Sequence, residues 1–91
     1  MPRISNNDLA KYIYEILLDY GNKEDSFPIM SAGDIRKKLK EDYDINYSDR
    51  RHIYNKIHAC ARDSPDLRWT YVGNSRGYYL EDWRNAYYHR R

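Results

Sequence analysis

At Pro65 the repeat of apolar side chains changes from helical to alternating, and that change divides the chain. Upstream, apolar residues recur at intervals of three and four: Leu9, Ile13, Ile16, Leu17 and Tyr20, then Ala32, Ile35 and Leu39, then Ile53, Ile57, Cys60 and Ala61. Each set lines one face of an amphipathic helix. Downstream, in "LRWTYV", Leu67, Trp69 and Tyr71 alternate with Arg68, Thr70 and Val72, the pattern of a half-buried strand. Three helices followed by strands point to an α+β domain.

Local punctuation sets the boundaries. Ser5-Asn6-Asn7-Asp8 offers several N-caps for the first helix, and Gly21 is expected to close it. "NKEDS", 22–26, is a polar loop, and "FPIM", 27–30, is a short apolar stretch that Pro28 restricts to an edge strand. Ser31-x-x-Asp34 is a capping box opening a second helix, which ends near Asp42. "DYDINYS" is a turn with Ile45 as its inward anchor. Ser48 is the expected cap of the third helix, 48–62, and Asp63-Ser64-Pro65 stops it. "GNSRG", 73–77, is a turn, and "YYL", 78–80, the return strand. In the tail, Trp83, Ala86 and Tyr87 share one face of a candidate short helix.

This order is that of a winged helix-turn-helix: three helices, a small antiparallel hairpin as the wing, and a candidate short C-terminal helix. The strand at 27–30 would add a third strand to the wing sheet. Ninety-one residues suffice for one hydrophobic core and not for two. A single domain is therefore expected over 1–91, with its core in 6–80 and a tail at 81–91. The single cysteine, Cys60, has no partner for an internal disulfide. There is no apolar run of the ~20 residues a bilayer demands, and the N-terminus lacks a signal-peptide core. An intracellular, reducing, cytoplasmic setting is expected.

Charge adds a direction. The net charge is only +2, but residues 1–47 hold 7 Lys/Arg against 9 Asp/Glu, whereas residues 48–91 hold 9 against 5. On charge alone, a polyanion partner for the second half and ordinary scatter are equally good accounts.

The third helix is more specific. With Ile53 set at zero and 100° per residue, its apolar seam falls within about 80° of that residue. Arg51, Asn55, His58 and Arg62 then fall together at about 140–200°, an outward stripe flanked by Tyr54 and Lys56. Arginine can bond guanine O6 and N7 in bidentate fashion, and asparagine adenine N6 and N7. In a helix-turn-helix the start of the second helix meets the bases, which places Arg51 and Asn55 nearest to them. Arg50 and Tyr54 can reach bases or phosphates, and Arg62 a phosphate. At the wing tip, Asn74, Ser75 and Arg76 carry no acid and suit phosphates or an adjacent minor groove. A solvated basic helix face and ordinary turn chemistry are the bland alternatives.

"MSAGDIRKKLKEDYDIN", then "RHIYNKI", then "GYYL" resemble the N-terminal winged-helix domain of WYL-domain transcription regulators. There a box similar to L-[ST]-A-x-E-I-x-x-x-L precedes R-T-I-Y-R-D-I, and the wing ends in G-Y-Y-L. The likeness spans roughly residues 9–80. It implies sequence-specific DNA binding with Arg51 and the next helical turn in the groove. Asn55-Lys56 stands where the family has Arg-Asp, and the stretch between Tyr47 and Arg51 is one residue longer. The chain leaves no room for a ligand-sensing WYL domain, so no small-molecule ligand is expected.

No enzyme, cofactor or metal site is expected. His52 and His58 are six apart, whereas shared ligation from one helix face needs three or four. Cys60 lies on the apolar seam, and "GNSRG" lacks both the lysine and the following helix of a phosphate loop. The expected partner is double-stranded DNA, bound by a homodimer acting as a small regulator or repressor, with a viral or mobile-element origin suggested by size. Trp83, Tyr87 and Tyr88 with the first helix are candidate dimer contacts, or they pack within the chain. The alternative is a winged helix that binds proteins as an adaptor or inhibitor, a use that the many tyrosines suit.

Overall fold

The structure, a computed structural model, describes residues 4–23 and 28–82. The elements run α1 (Asn6–Lys23), β1 (Met30–Ser31), α2 (Ala32–Tyr43), α3 (Arg50–Asp63), β2 (Leu67–Val72) and β3 (Ser75–Leu80). The three strands form one antiparallel sheet in the order β1-β3-β2. Helix, strand, helix, helix and hairpin in this order, with the first strand on the hairpin's inner edge, is winged helix-turn-helix topology. The expected C-terminal helix, and Trp83, Tyr87 and Tyr88 as contacts, lie outside the described residues.

Caps decide where the helices start. Ser5 caps α1: its hydroxyl accepts the Asp8 N–H at 3.1 Å and its carbonyl the Leu9 N–H at 2.9 Å. Gly21 does not close this helix, contrary to expectation. It is buried, its φ is not positive, and the helix continues to Lys23. A glycine ends a helix by turning left-handed; one that stays right-handed only weakens the helix, by about 1 kcal/mol against alanine.

Ser31 caps α2 as the capping box predicts, its Oγ accepting the Asp34 N–H at 3.1 Å. The helix ends on Asp44, which adopts a left-handed φ of 56°. Leu39 O accepts the Ile45 N–H at 3.0 Å, and Ile45 packs against the core edge. The cap of α3 is Asp49 rather than Ser48. Its Oδ1 accepts the Arg51 N–H at 3.0 Å, and the helix begins at Arg50. The carboxylate also lies at the positive end of the helix dipole, which favours it over a hydroxyl. At the other end the Ser64 N–H bonds Cys60 O at 2.9 Å, ahead of Pro65.

One core joins all the elements. Leu9, Ile13, Ile16 and Leu17 of α1 meet Ile35 and Leu39 of α2 and Ile53, Ile57, Cys60 and Ala61 of α3. The sheet closes the core with Met30, Leu67, Tyr78 and Leu80. Each buried aliphatic side chain removes enough apolar surface from water to contribute about 1.5–3 kcal/mol before entropy is counted.

The first strand sits later than 27–30, pairing Met30 with Tyr78 and Ser31 with Gly77. Pro28 has no N–H to give a ladder, so pairing starts beyond it. In the hairpin, Leu67 pairs with Leu80, Trp69 with Tyr78, Tyr71 with Arg76 and Val72 with Ser75. The loop is therefore only Gly73-Asn74, with Ser75 and Arg76 inside β3 rather than in a five-residue turn. Gly73 has φ 64° and Asn74 is not left-handed, the pattern of a type II′ turn. No described helix is long and apolar enough to cross a membrane.

Candidate nucleic-acid interface

The buried side of α3 dictates what its far side shows. Ile53, Ile57, Cys60 and Ala61 are buried, and Arg51, Asn55 and Arg62 are exposed. Arg50, in the first turn, is exposed too. Asp49 bonds the backbone N–H of Arg51, not its guanidinium. Among the described residues no carboxylate forms an ion pair with Arg50, Arg51 or Arg76; the pairs found are Lys23–Asp19, Arg62–Asp63 and Arg68–Glu81. The Arg62–Asp63 pair, at 3.2 Å, is well exposed on both sides. Such pairs contribute little, so Arg62 exchanges its partner at small cost.

One member of the expected stripe, His58, and one flanking residue, Tyr54, lie elsewhere. Tyr54 is half-buried and leans on α2, its hydroxyl 3.5 Å from where a β-carbon on Gly33 would stand. His58 turns to the sheet instead of outward. Its Nδ1 is 3.3 Å from the Tyr78 hydroxyl, and its ring meets the Trp69 ring edge-on at 4.9 Å between centroids. The stripe that faces solvent is thus Arg51, Asn55 and Arg62, with His58 as the joint between helix and hairpin.

Burial and charge bias that joint toward the neutral imidazole. Burial holds the His58 imidazole below its ordinary pKa, and the Arg76 and Arg62 guanidiniums push it the same way. The Tyr78 phenol is raised, first by burial, while a hydrogen bond from Arg76 and its charge pull the other way. The contact between His58 Nδ1 and the Tyr78 hydroxyl, the edge-on meeting of His58 with Trp69 and the Arg76 guanidinium beside Trp69 together tie the wing to α3.

Asn74, Ser75 and Arg76 are exposed at the hairpin tip, on or next to the turn as expected. The hairpin face that Arg76 shares with Trp69 and Tyr71 of β2 holds more than the alternation suggested. Beyond Leu67 the core no longer covers it: Trp69 is 37% exposed and Tyr71 61%, with Val72 on the reverse face at 56%. The Arg76 guanidinium carbon lies 5.7 Å from the Trp69 ring centre, and Trp69 and Tyr71 meet at 5.5 Å and 85°. Trp69 and Tyr71 are therefore part of the exposed site, although their period alone assigns them to a half-buried face.

No group of three His, Cys, Asp or Glu side chains suited to a metal occurs among the described residues. Cys60 is buried, and burial pushes its thiol pKa up. Among known proteins, no family model, no curated protein and no solved structure matches the chain with significance.

Proposed function

We propose that the chain is a small sequence-specific DNA-binding regulator that sets α3 in a major groove and the hairpin on the flanking backbone or minor groove. Arg51 and Asn55 read base edges, Arg50 and Arg62 hold phosphates, and Asn74, Ser75 and Arg76 meet the backbone from the wing. The observation that carries this reading is the pairing of types on one exposed helical face. Arg51 and Asn55 stand one turn apart, opposite the core and free of carboxylate partners among the described residues. A lone winged helix has a small footprint, so a homodimer on two half-sites about one helical turn apart is the form proposed to act as repressor.

Selection of duplexes from a random pool tests the reading. A preferred sequence should emerge, and its affinity should fall by orders of magnitude between about 50 and about 200 mM salt as counterion release weakens. The Arg51→Ala/Asn55→Ala double variant should bind without preference and keep its melting temperature. Feeble binding at both salt concentrations, or a preference that survives the double variant, overturns the reading; the former leaves a protein-binding adaptor in its place.

A further inference from the structure

We propose that the inner face of the hairpin is a stacking site for an unpaired nucleotide, with Tyr71 receiving the base and Arg76 the adjoining phosphate. The inference deepens the proposed DNA binding and rests on it for the choice of polymer. It adds a ligand class that α3 cannot serve.

All three large apolar side chains that are exposed among the described residues lie on β2, and two of them, Trp69 and Tyr71, share the face turned toward α3. Tyr71 stands directly across the ladder from Arg76, so an aromatic ring and a guanidinium are offered side by side. Trp69 and Tyr71 meet at 85° with 5.5 Å between centroids, and Tyr71 remains 61% exposed, so much of its ring is open to solvent. Arg76 has no ion pair with any described carboxylate, and its positive field is strong enough to act on His58. The surface is thus aromatic and cationic at once.

That combination chooses among occupants. An acidic peptide would satisfy Arg76 but not two aromatic faces. An apolar partner would cover the rings and strand the guanidinium. A nucleotide carries a π-face and an anion at the separation of one residue. Bases within an intact duplex have both faces stacked and cannot offer one; an unpaired or extruded base can. Stacking on protein aromatics tolerates any base, so this site would add affinity without adding sequence preference.

The test uses the full chain with Trp83→Phe, which leaves Trp69 as the sole tryptophan reporter. Oligo-dT of about a dozen nucleotides, an intact duplex, the same duplex with one unpaired thymidine, and inorganic polyphosphate are titrated while Trp69 fluorescence is followed. Oligo-dT and the bulged duplex should change the emission, whereas polyphosphate should not. The bulged duplex should bind more tightly than the intact one. Tyr71→Ala should weaken oligo-dT binding about 5- to 100-fold. Tyr71→Leu, which keeps apolar bulk without the ring, should weaken it nearly as much, and neither variant should lose its fold by circular dichroism. Equal responses to polyphosphate and oligo-dT would reduce the site to charge. Unchanged binding by both Tyr71 variants, or no binding of oligo-dT, overturns the proposal. Arg51→Ala/Asn55→Ala separates the two readings: it should leave oligo-dT binding intact, so a failure of duplex reading and a failure of the stacking site show in different titrations.

Discussion

His58 on α3 and Tyr78 on β3, twenty residues apart in sequence, are joined by a contact of 3.3 Å between ring nitrogen and hydroxyl. Tyr78 is also one of the largest fully buried side chains, so its ring belongs to the core while its oxygen belongs to the interface. The pair fastens the hairpin to the helix that the stripe of Arg51 and Asn55 occupies.

Burial of His58, with the Arg76 and Arg62 guanidiniums nearby, makes stability depend on pH in a defined direction. The native imidazole has a pKa below the unfolded value of about 6.5, so between those two values the unfolded chain binds more protons. Stability contributed at His58 is therefore complete above about pH 6.5 and is lost as pH falls through the window down to the native value. Urea midpoints at about pH 8 and about pH 5 should show wild type losing ground against His58→Gln on acidification. Parallel behaviour of the two proteins would show that the ring titrates freely.

Gly77 is predicted to resist substitution. A β-carbon there would overlap Ile29 Cγ2 and stand 3.0 Å from Val72 Cγ2. Gly77→Ala should cost about 1–3 kcal/mol, as overpacking does. Part of that loss should return in Gly77→Ala/Ile29→Ala, measured as a coupling in denaturant melts, because the shorter side chain clears the overlap.

The two candidate caps of α3 can be separated by mutation. Asp49→Ala should cost about 0.5–2 kcal/mol, and Asp49→Ser should recover most of it. Ser48→Ala should be nearly neutral. The reverse order in thermal melts would return the cap to Ser48.

Cys60 should react only when the chain opens. Its thiol is buried, its pKa is raised by that burial, and its sulfur lies 3.5 Å from Asn6 O. Labelling by an aromatic disulfide reagent should be slow in buffer and rise with the unfolded fraction in urea. Rapid labelling under native conditions would show that α1 and α3 separate locally.

Much of the fold was legible because burial here follows simple periods. Ile53, Ile57, Cys60 and Ala61 all lie where helical spacing puts them, as do Leu9, Ile13, Ile16 and Leu17. Ser31 caps α2 through a motif that names its own donor. Gly21 misled because glycine signals a helix end only when the next residues leave the helix, a matter of tertiary packing. Ser48 and Asp49 are both good caps, and only the one-residue offset of the helix start, set by packing, together with the dipole's preference for a carboxylate, selects Asp49. His58 and Trp69 were harder still. A helical wheel places His58 on the outward stripe itself, but the hairpin folds back over that edge, a contact between residues eleven apart that no local period encodes.

Leu67, Tyr78 and Leu80 root the base of the hairpin in the interior, and the His58–Tyr78 contact ties it to α3. Anything that touches α3 and the hairpin tip together meets a gap of set width. The molecule then gauges its partner as a caliper does, and a partner of the wrong width must bend or stay outside. Selectivity of that kind resides in buried aliphatic anchorage, out of reach of the surface side chains that do the touching.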